Sequence, residues 1–274
     1  MQRKTDVFRW RRAIQWPLQQ ALIGMSHFNF FLVRGLDDGL DTTRFLGARY
    51  FSIATDYVRN GVVELICQEI KQNSVPGAVA ELGVYQGDFA ALLNAHLPDR
   101  EIHLFDTFKG FDSRDVQIDM QSGGDPLPDF SNTGIATVKN RLPPGANVVL
   151  HPGWFPETAR ELTDIRFALV SLDTDLYQPI LEGLRYFWPK ISPGGFILVH
   201  DYNHRQFSGT KRAVKDFIQE APIACCPVPD AGGTVVIGKP LFDAFGPERS
   251  ESLAPHLATQ RPLGSPIPCE TNPV

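Results

Sequence analysis

The chain has 274 residues, carries a formal net charge of −5 and is 43% hydrophobic, a composition typical of one soluble α/β domain with extensions. The mild acidic balance excludes the broad basic face that binds nucleic acids non-specifically. None of the four cysteines has the CxxC spacing typical of zinc sites and redox motifs, so we expect neither a zinc site nor a disulfide framework, and a cytoplasmic location.

Residues 1–54 are basic and then apolar, and we predict that they form a helical arm. Polar residues such as Gln15, Gln19 and His27 interrupt the apolar run, so the segment lacks the pattern of a signal peptide or an integral membrane span. We expect the arm to pack on the second subunit of a homodimer or to shape the substrate site. The alternative is a helix that lies on a membrane surface.

Residues 55–240 alternate helical and strand patterns and form the predicted catalytic domain, followed at 241–274 by a proline-rich, loosely ordered tail. The first half of this domain is predicted to contain the helix TDYVRNGVVELICQEIKQN with Thr55 as its cap, the strand GAVAELGV, the helix DFAALLNAHL, the strand EIHLFDTF and a loop over Lys109–Pro128. The second half is predicted to contain the helix NTGIATVKNRL capped by Ser131, the strands NVVLHPG and IRFALVSLDTD, the helix YQPILEGLRYFWPKI, the strand PGGFILVHDY, the helix GTKRAVKDFIQEA and the strand AGGTVVIGK. This alternation predicts an α/β fold with a Rossmann-like, doubly wound, seven-stranded and mostly parallel sheet. Ligands of such sheets bind beyond the carboxyl ends of the strands.

The turn after the first strand, in the stretch AELGVYQGDF, departs from the dinucleotide fingerprint GxGxxG. Tyr85 stands where that fingerprint needs its second glycine. Gly83 would let a cofactor approach the backbone, and Gly87 would let the next helix begin close by. A cationic cofactor such as S-adenosylmethionine suits the acid Glu81 better than a diphosphate does. The alternative is a plain strand-to-helix turn.

The ends of the second and third strands offer groups for a nucleoside. Asp106 ends the second strand, where a carboxylate can accept hydrogen bonds from both ribose hydroxyls, and it lies at the expected offset of about 20 residues from Gly83. Trp154 or Phe155, after the third strand, could lie against an adenine ring. The alternative for Asp106 is an aspartate that caps a loop. The alternative for Trp154 and Phe155 is ordinary packing in the core.

Acidic residues follow the fourth and fifth strands. Asp173 and Asp175 end one, and His200 and Asp201 end the other. If these strands are neighbours, their ends lie about 5 Å apart. Carboxylates that converge in this way repel one another and need a cation, a proton or separate hydrogen-bond partners. Oxygen ligands favour a hard ion, so Mg²⁺ is the first candidate, while His200 could be a ligand, a base or a buried strand residue.

Several motifs together resemble the macrocin O-methyltransferase family. They are AELGVYQGDFA, LFDTFKGF, GWFPETA, FALVSLDTDLYQPILEGLRYFWPKISPGGFILVHDYN and GTKRAVKDF, in this order between Ser52 and Lys239. The resemblance implies a class I methyltransferase that uses S-adenosylmethionine and Mg²⁺ to methylate a hydroxyl of a natural-product deoxysugar. It also implies that Asp173 is both metal ligand and general base and that Asp201 binds metal.

The predicted site follows from these motifs. The cofactor-binding residues are Glu81, Gly83, Val84, Tyr85, Gly87, Asp106, Thr107, Trp154 and Phe155; the catalytic residues are Asp173 and His200; the metal ligands are Asp173, His200 and Asp201; the substrate-binding residues are Asp175, Tyr177, Tyr202 and Asn203. The expected partner is a small-molecule or glycan acceptor, not a nucleic acid.

The sequence departs from the family at one position. Members typically carry two consecutive aspartates where this chain has His200 and Asp201. A metal-independent methyltransferase in which His200 is the base therefore stays open. A second alternative is a nicotinamide-dependent oxidoreductase built on a similar sheet, against which the missing middle glycine at Tyr85 and the cluster of aspartates argue.

Overall fold

The computed structural model describes residues 56–122 and 127–241. The chain divides into two compact units, Met1–Leu65 and Ile66–Val274, and of the first unit the structure describes only residues 56–65. The predicted N-terminal arm, the tail beyond Leu241 and Thr55 lie outside the described residues.

Helices and strands alternate along most of the described chain. The helices are α1 (Tyr57–Gln72), α2 (Asp88–His96), α3 (Ser113–Gln121), α4 (Ile135–Arg141), α5 (Tyr177–Phe187) and α6 (Ser208–Glu220), with short 3₁₀ turns at Glu157–Ala159 and Trp188–Lys190. The strands are β1 (Ala78–Leu82), β2 (Ile102–Asp106), β3 (Val148–Pro152), β4 (Phe167–Leu172), β5 (Ile191–Val199), β6 (Cys225–Pro227) and β7 (Val235–Gly238).

The strands form one seven-stranded sheet in the order β3-β2-β1-β4-β5-β7-β6. Strands β1 to β5 are parallel, and β7 pairs antiparallel with both β5 and β6. The chain order reverses between β1 and β4, which is the switch point where such sheets bind ligands. The predicted Rossmann-like, mostly parallel sheet is therefore confirmed.

Helix α5 packs its buried face against the centre of the sheet. Ile180, Leu184 and Phe187 are fully buried, and burying an aliphatic or aromatic side chain stabilises a fold by about 1.5–3 kcal/mol. The ring of Phe187 lies 5.7 Å from that of Phe105 at the end of β2 and 5.2 Å from that of Phe167 at the start of β4. These contacts fix the strands whose ends carry the candidate site. No helix within residues 56–122 and 127–241 has the length and apolar character needed to cross a bilayer.

The structure corrects the element predictions in one long segment. The predicted loop over Lys109–Pro128 contains helix α3. The helix begins because the Asp112 carboxylate accepts a hydrogen bond from the backbone N–H of Arg114 at 3.0 Å, the arrangement of an N-cap. Helix α3 is largely polar, so it shows no apolar stripe by which a sequence pattern would reveal it.

Smaller differences concern helix caps and one strand. Asp56 caps α1, since its Oδ1 accepts from the N–H groups of Val58 and Arg59 at 3.0 and 3.1 Å. Ser131 does not cap α4, because that helix begins only after Gly134, which makes no side-chain cap. The sequence analysis does not predict strand β6. Its three residues include Pro227, and a proline weakens a strand pattern because it has no backbone N–H to donate, although an edge strand tolerates it.

Candidate functional site

The carboxyl ends of the central strands lie level with one another. Leu82 of β1 pairs with Leu172 of β4, which pairs in turn with Val199 of β5. The residues that follow these strands therefore meet at one edge of the sheet, around a cavity of about 320 Å³. Twelve of the predicted site residues line this cavity: Glu81, Gly83, Val84, Tyr85, Asp106, Thr107, Trp154, Phe155, Asp173, Asp175, His200 and Asp201.

The other four predicted site residues do not line this cavity as the described residues define it. Gly87 is the N-cap of α2 and has φ of +86°. Tyr177 begins α5, and its hydroxyl donates to Asp216 at 3.0 Å. Tyr202 and Asn203 line a second cavity of about 500 Å³ beside α6. Asp201 lines the first cavity, and the two residues after it line the second.

Gly83 holds the turn after β1 against the end of β4. Its φ is +88°, and a Cβ at this position would lie 2.1 Å from the carbonyl oxygen of Asp173. The backbone N–H of Asp173 in turn donates to the carbonyl of Leu82 at 2.8 Å. A side chain at Gly83 would therefore collide with the backbone of Asp173, the predicted base. This close contact requires glycine at position 83 independently of the expected approach of a cofactor.

Asp106 ties the turns after β1 and β2 together. Its Oδ2 accepts from the N–H groups of Val84 and Tyr85 at 2.7 and 3.0 Å, and its Oδ1 accepts from that of Phe108 at 2.6 Å. A carboxylate has about four lone-pair positions, so these bonds leave little capacity for a ribose. The residue organises the backbone of the cavity as well as lining it.

We expect Asp106→Ala to weaken the binding of S-adenosylhomocysteine by at least about tenfold. The variant removes the acceptor of the backbone N–H groups of Val84, Tyr85 and Phe108, so the two turns at the cavity lose hydrogen bonds to a charged group that contribute about 1.5–3 kcal/mol each. Isothermal titration calorimetry on protein shown by circular dichroism to be folded is the measurement. The exposed Asp164, changed to Ala, is the control. Equal affinity of the Asp106 variant and the unmodified chain would contradict a cofactor role.

An acidic cluster lies beyond β4 and β5. His200 Nδ1 lies 3.1 Å from Asp173 Oδ1 and 3.0 Å from Asp201 Oδ2. Within the described residues, a ligand atom from each of these three side chains lies within 4.8 Å of the others. Two carboxylate oxygens and one imidazole nitrogen form a donor set that fits a divalent cation, although the nitrogen suits Mg²⁺ less well than a third oxygen would. A proton on Nδ1, shared by both carboxylates, fits the same geometry.

Asp175 adds a third carboxylate to this cluster. Burial, together with the nearby negative charges of Asp173 and Asp201, raises the pKa of Asp175 well above its usual value. Ionising all three acids is costly without a positive partner. We therefore expect these three carboxylates to share a proton or a bound cation in the folded protein.

The backbone around the cavity is strained at four non-glycine residues. Tyr85, Phe108, Asp175 and Asp201 have φ between 50° and 62°, and such left-handed conformations cost of order 1–3 kcal/mol each. They follow β1, β2, β4 and β5, so every one lies at the carboxyl edge. Strain of this kind persists where the surroundings over-determine it, and it clusters at functional sites.

Gly232 closes the acidic cluster from the side of β7. A Cβ at Gly232 would lie 2.5 Å from Asp201 Oδ1 and 2.7 Å from His200 Nε2. The N–H of Asn203 donates to the carbonyl of Gly232 at 3.3 Å. The turn before β7 therefore packs directly on the two side chains.

The two predicted aromatic residues differ in their surroundings. Phe155 is 4% exposed, and its ring stacks at 5.7 Å on that of Phe187, so it belongs to the core as well as lining the cavity. Trp154 is half-buried, and the guanidinium of Arg114 lies 3.8 Å from the centre of its ring. The indole N–H donates to Asp115 at 3.0 Å.

Asp115 is a cavity residue that the sequence analysis missed, because it lies on helix α3. The side chain is 5% exposed and lines the cavity. Burial raises the pKa of its carboxyl to about 6 against the lowering effect of the Trp154 hydrogen bond. The capping residue Asp112 was the signal that could have revealed the helix.

Asp115→Asn should stabilise the fold near neutral pH. Because the folded-state pKa is raised, the carboxyl favours the folded chain most below about pH 4, and this contribution is lost as the pH rises to about 6. The charges of Asp112, Arg114 and Asp119 also act on this group. We expect the variant to raise the free energy of unfolding by about 1–2 kcal/mol at pH 7 and by much less at pH 3.5, measured by urea denaturation. A loss of stability at pH 7 would contradict the assignment.

Comparison with known proteins relates the chain to O-methyltransferases. Residues 55–226 match the family model described as Macrocin-O-methyltransferase (TylF). Curated relatives include the 8-demethyl-8-(2,3-dimethoxy-alpha-L-rhamnosyl)-tetracenomycin-C 4'-O-methyltransferase of Streptomyces olivaceus, 28% identical over 58% of this chain and 67% of that protein. Another is the mycinamicin III 3''-O-methyltransferase of Micromonospora griseorubida, 30% identical over 48% of this chain and 57% of that protein.

Solved structures support the fold. The O-methyltransferase NovP superposes with a TM-score of 0.55 at 23% identity, over 66% of this chain and 79% of that one. The calicheamicin methyltransferase CalS11 gives a TM-score of 0.54 at 21% identity, over 74% of this chain and 87% of that one.

Proposed function

Since the chain belongs to the macrocin O-methyltransferase family, we propose that it transfers a methyl group from S-adenosylmethionine to a hydroxyl group of a sugar on a natural product or glycan. The observation that carries the proposal is the convergence of Asp106, Asp173 and Asp201 around one cavity beside the Gly83 turn. The names of the relatives support an O-methyl transfer, and one of them names a rhamnosyl group. The nicotinamide alternative has no comparable support.

In the proposed reaction, S-adenosylmethionine supplies the methyl group, and the protein accepts the proton and positions the two reactants. S-adenosylmethionine supplies a methyl group already activated by its sulfonium, so the difficulty lies with the weakly acidic acceptor hydroxyl. Asp173 would accept the hydroxyl proton as the new carbon–oxygen bond forms and the carbon–sulfur bond breaks. The cavity walls would hold hydroxyl and methyl in line, which contributes much of the remaining rate enhancement.

Asp173, His200 and Asp201 would hold a Mg²⁺ ion, which supplies polarisation of the acceptor oxygen. Their spacing supports this assignment. The alternative is that His200 itself is the base and no metal takes part. Tyr202 and Asn203 are proposed to contact the acceptor from the second cavity, and Asp175 from the first.

A methyl-transfer assay tests the proposal. The full chain is incubated with S-adenosylmethionine and a panel of free, nucleotide-linked and natural-product-linked deoxysugars, with and without a chelator. We expect turnover on at least one acceptor, a loss of about a hundredfold with the chelator, and recovery on addition of Mg²⁺. Folded protein that does not bind S-adenosylmethionine would overturn the proposed function. Turnover that the chelator leaves unchanged would overturn only the metal and would favour His200 as the base.

We also propose a homodimer formed through residues 1–54. Light scattering on the full chain tests it, and a monomeric mass across the micromolar range would contradict it.

A further inference from the structure

The second cavity, which lies beside α6 and measures about 500 Å³, has strongly basic walls. Arg205, Lys211, Arg212 and Lys215 line it, and Asp216 is the single acid among the described residues that do so. The chain as a whole carries a net charge of −5, so this local excess of positive charge does not follow from the composition. A concave surface with one sign of charge concentrates ligands of the opposite sign.

Three of these four basic side chains have no carboxylate partner in the described part of the chain. Arg212 Nη2 lies 3.7 Å from Asp119 Oδ1 and is thereby partly neutralised. No carboxylate within residues 56–122 and 127–241 forms an ion pair with Arg205, Lys211 or Lys215. The charges of these three groups are therefore available to a ligand.

Helix α6 presents two of these charges together. Lys211 and Lys215 are four residues apart, so both side chains lie on one face of the helix, which borders the cavity. Like charges at this spacing destabilise a helix, and an anion between them removes the repulsion. The Lys211 ammonium donates to Asn203 Oδ1 at 2.8 Å and lies 5.0 Å from the centre of the Tyr202 ring. Since an ammonium has three N–H donors, this group keeps donors for a ligand after it binds Asn203.

The basic cavity adjoins the acidic cluster along the chain. Asp201 belongs to the wall of the first cavity, and Tyr202 and Asn203 belong to that of the second. Consecutive Cα atoms lie about 3.8 Å apart, so the Cα atoms of Asp201 and Asn203 are at most about 7.6 Å apart. An acceptor that presents a hydroxyl to Asp173 can therefore place a neighbouring charged group in the basic cavity.

We infer that the second cavity binds a phosphate or diphosphate group of the methyl acceptor and that Lys211 and Lys215 are its main contacts. The assignment of this anion to the acceptor rests on the proposed function. A phosphate group carries about −1.5 to −2 charges at pH 7 and three acceptor oxygens, so it matches several cations, whereas a carboxylate carries a single charge. A diphosphate that links a sugar to a nucleoside and one that links it to a lipid present the same chemistry to these cations.

Titration calorimetry on the full chain tests the inference with inorganic pyrophosphate as the probe. The salt concentration is kept at about 50 mM, where charges are less screened than at physiological ionic strength. A chelator keeps divalent cations from holding the anion at the acidic cluster, and S-adenosylhomocysteine fills the donor site. We expect pyrophosphate to bind, and the double variant Lys211→Gln, Lys215→Gln to bind it at least about tenfold more weakly, because two charge-assisted contacts are lost.

The matched control is the double variant Lys71→Gln, Lys139→Gln. It removes exposed lysines from α1 and α4 and changes the net charge by the same amount, so it reports any general attraction between the chain and an anion. We expect its affinity for pyrophosphate to stay within about twofold of that of the unmodified chain, since neither lysine lines the cavity and exposed charges interact weakly through salt water. An equal loss in both double variants would overturn the inference.

Further ligands identify the source of the diphosphate. Uridine diphosphate that binds more tightly than pyrophosphate supports a nucleotide-linked sugar, and geranyl diphosphate that does so supports a lipid-linked sugar. Glucuronate that binds as tightly as pyrophosphate would overturn the assignment of a phosphate group.

A titration with S-adenosylhomocysteine alone separates the inference from the proposed function. If this ligand does not bind to the folded protein, the proposed function fails and the assignment to an acceptor fails with it. If it binds but pyrophosphate does not, or if pyrophosphate binds equally well to the Lys211, Lys215 variant, the inference is overturned and the proposed function stands. Should that variant not fold, Arg205→Gln with Lys215→Gln takes its place, with the same expected loss.

Discussion

Asp173→Asn is expected to lower kcat by about 10²–10⁴-fold, the usual contribution of a general base, while the affinity for S-adenosylmethionine changes by less than about threefold. The amide has nearly the same shape as the carboxylate but cannot take a proton from the acceptor. The backbone of Asp173, which donates to Leu82 and abuts Gly83, keeps its place in the variant. The loss should therefore fall on the chemical step.

Single-turnover kinetics and calorimetry, run on the same protein, separate the two quantities. Asp164→Asn changes an exposed carboxylate on the loop before β4, so it controls for the loss of one negative charge. If Asp173→Asn lost affinity and turnover in equal measure, the residue would belong to the cofactor site and a different group would have to be the base.

Gly83→Ala is expected to lower the free energy of unfolding by about 2–4 kcal/mol and to remove cofactor binding. The new Cβ would lie 2.1 Å from the carbonyl oxygen and 2.6 Å from the carbonyl carbon of Asp173. Because both are backbone atoms, the strand ends would have to move apart. Overpacking costs about 1–3 kcal/mol, and the left-handed φ adds of order 1 kcal/mol for a residue with a side chain.

Two other glycines separate these contributions. Gly145 has a similar φ of +83°, but a Cβ there would meet nothing within 4 Å, and Gly134 has neither the left-handed φ nor a close neighbour. Thermal and urea denaturation of the three alanine variants should rank them with Gly83→Ala the least stable and Gly134→Ala closest to the parent. A Gly83 variant no less stable than Gly145→Ala would show that the contact with Asp173 can relax at little cost.

The acids at the sheet edge could be predicted from the sequence because their positions follow from local patterns. Buried strands are apolar runs, and the residues at the end of each run lie at the carboxyl edge. Asp106 is the last residue of β2, Asp173 the first after β4 and Asp201 the second after β5. Parallel pairing of β4 with β5 then brings their acids together. Nothing beyond the strand pattern and the topology of parallel sheets is needed for this step.

The contribution of Asp115 could not be predicted in the same way. Its helix has the sequence SRDVQIDMQ, which offers no apolar stripe, and its partner Trp154 lies 39 residues further along the chain. The contact of Gly83 with Asp173 is equally non-local, since it depends on the register between β1 and β4. Interactions of this kind are set by tertiary packing.

The hydrogen bond between Leu82 and Asp173 joins the turn that begins at Gly83 to the proposed proton acceptor through the backbone. The position of Asp173 relative to that turn therefore depends on one strand pair, β1 and β4, at the middle of the sheet. The positions of His200 and Asp201 depend on the opposite side of the sheet as well, because Gly232 before β7 packs on both side chains. Loosening of the β6–β7 pair should consequently disturb His200 and Asp201 before it disturbs Asp173.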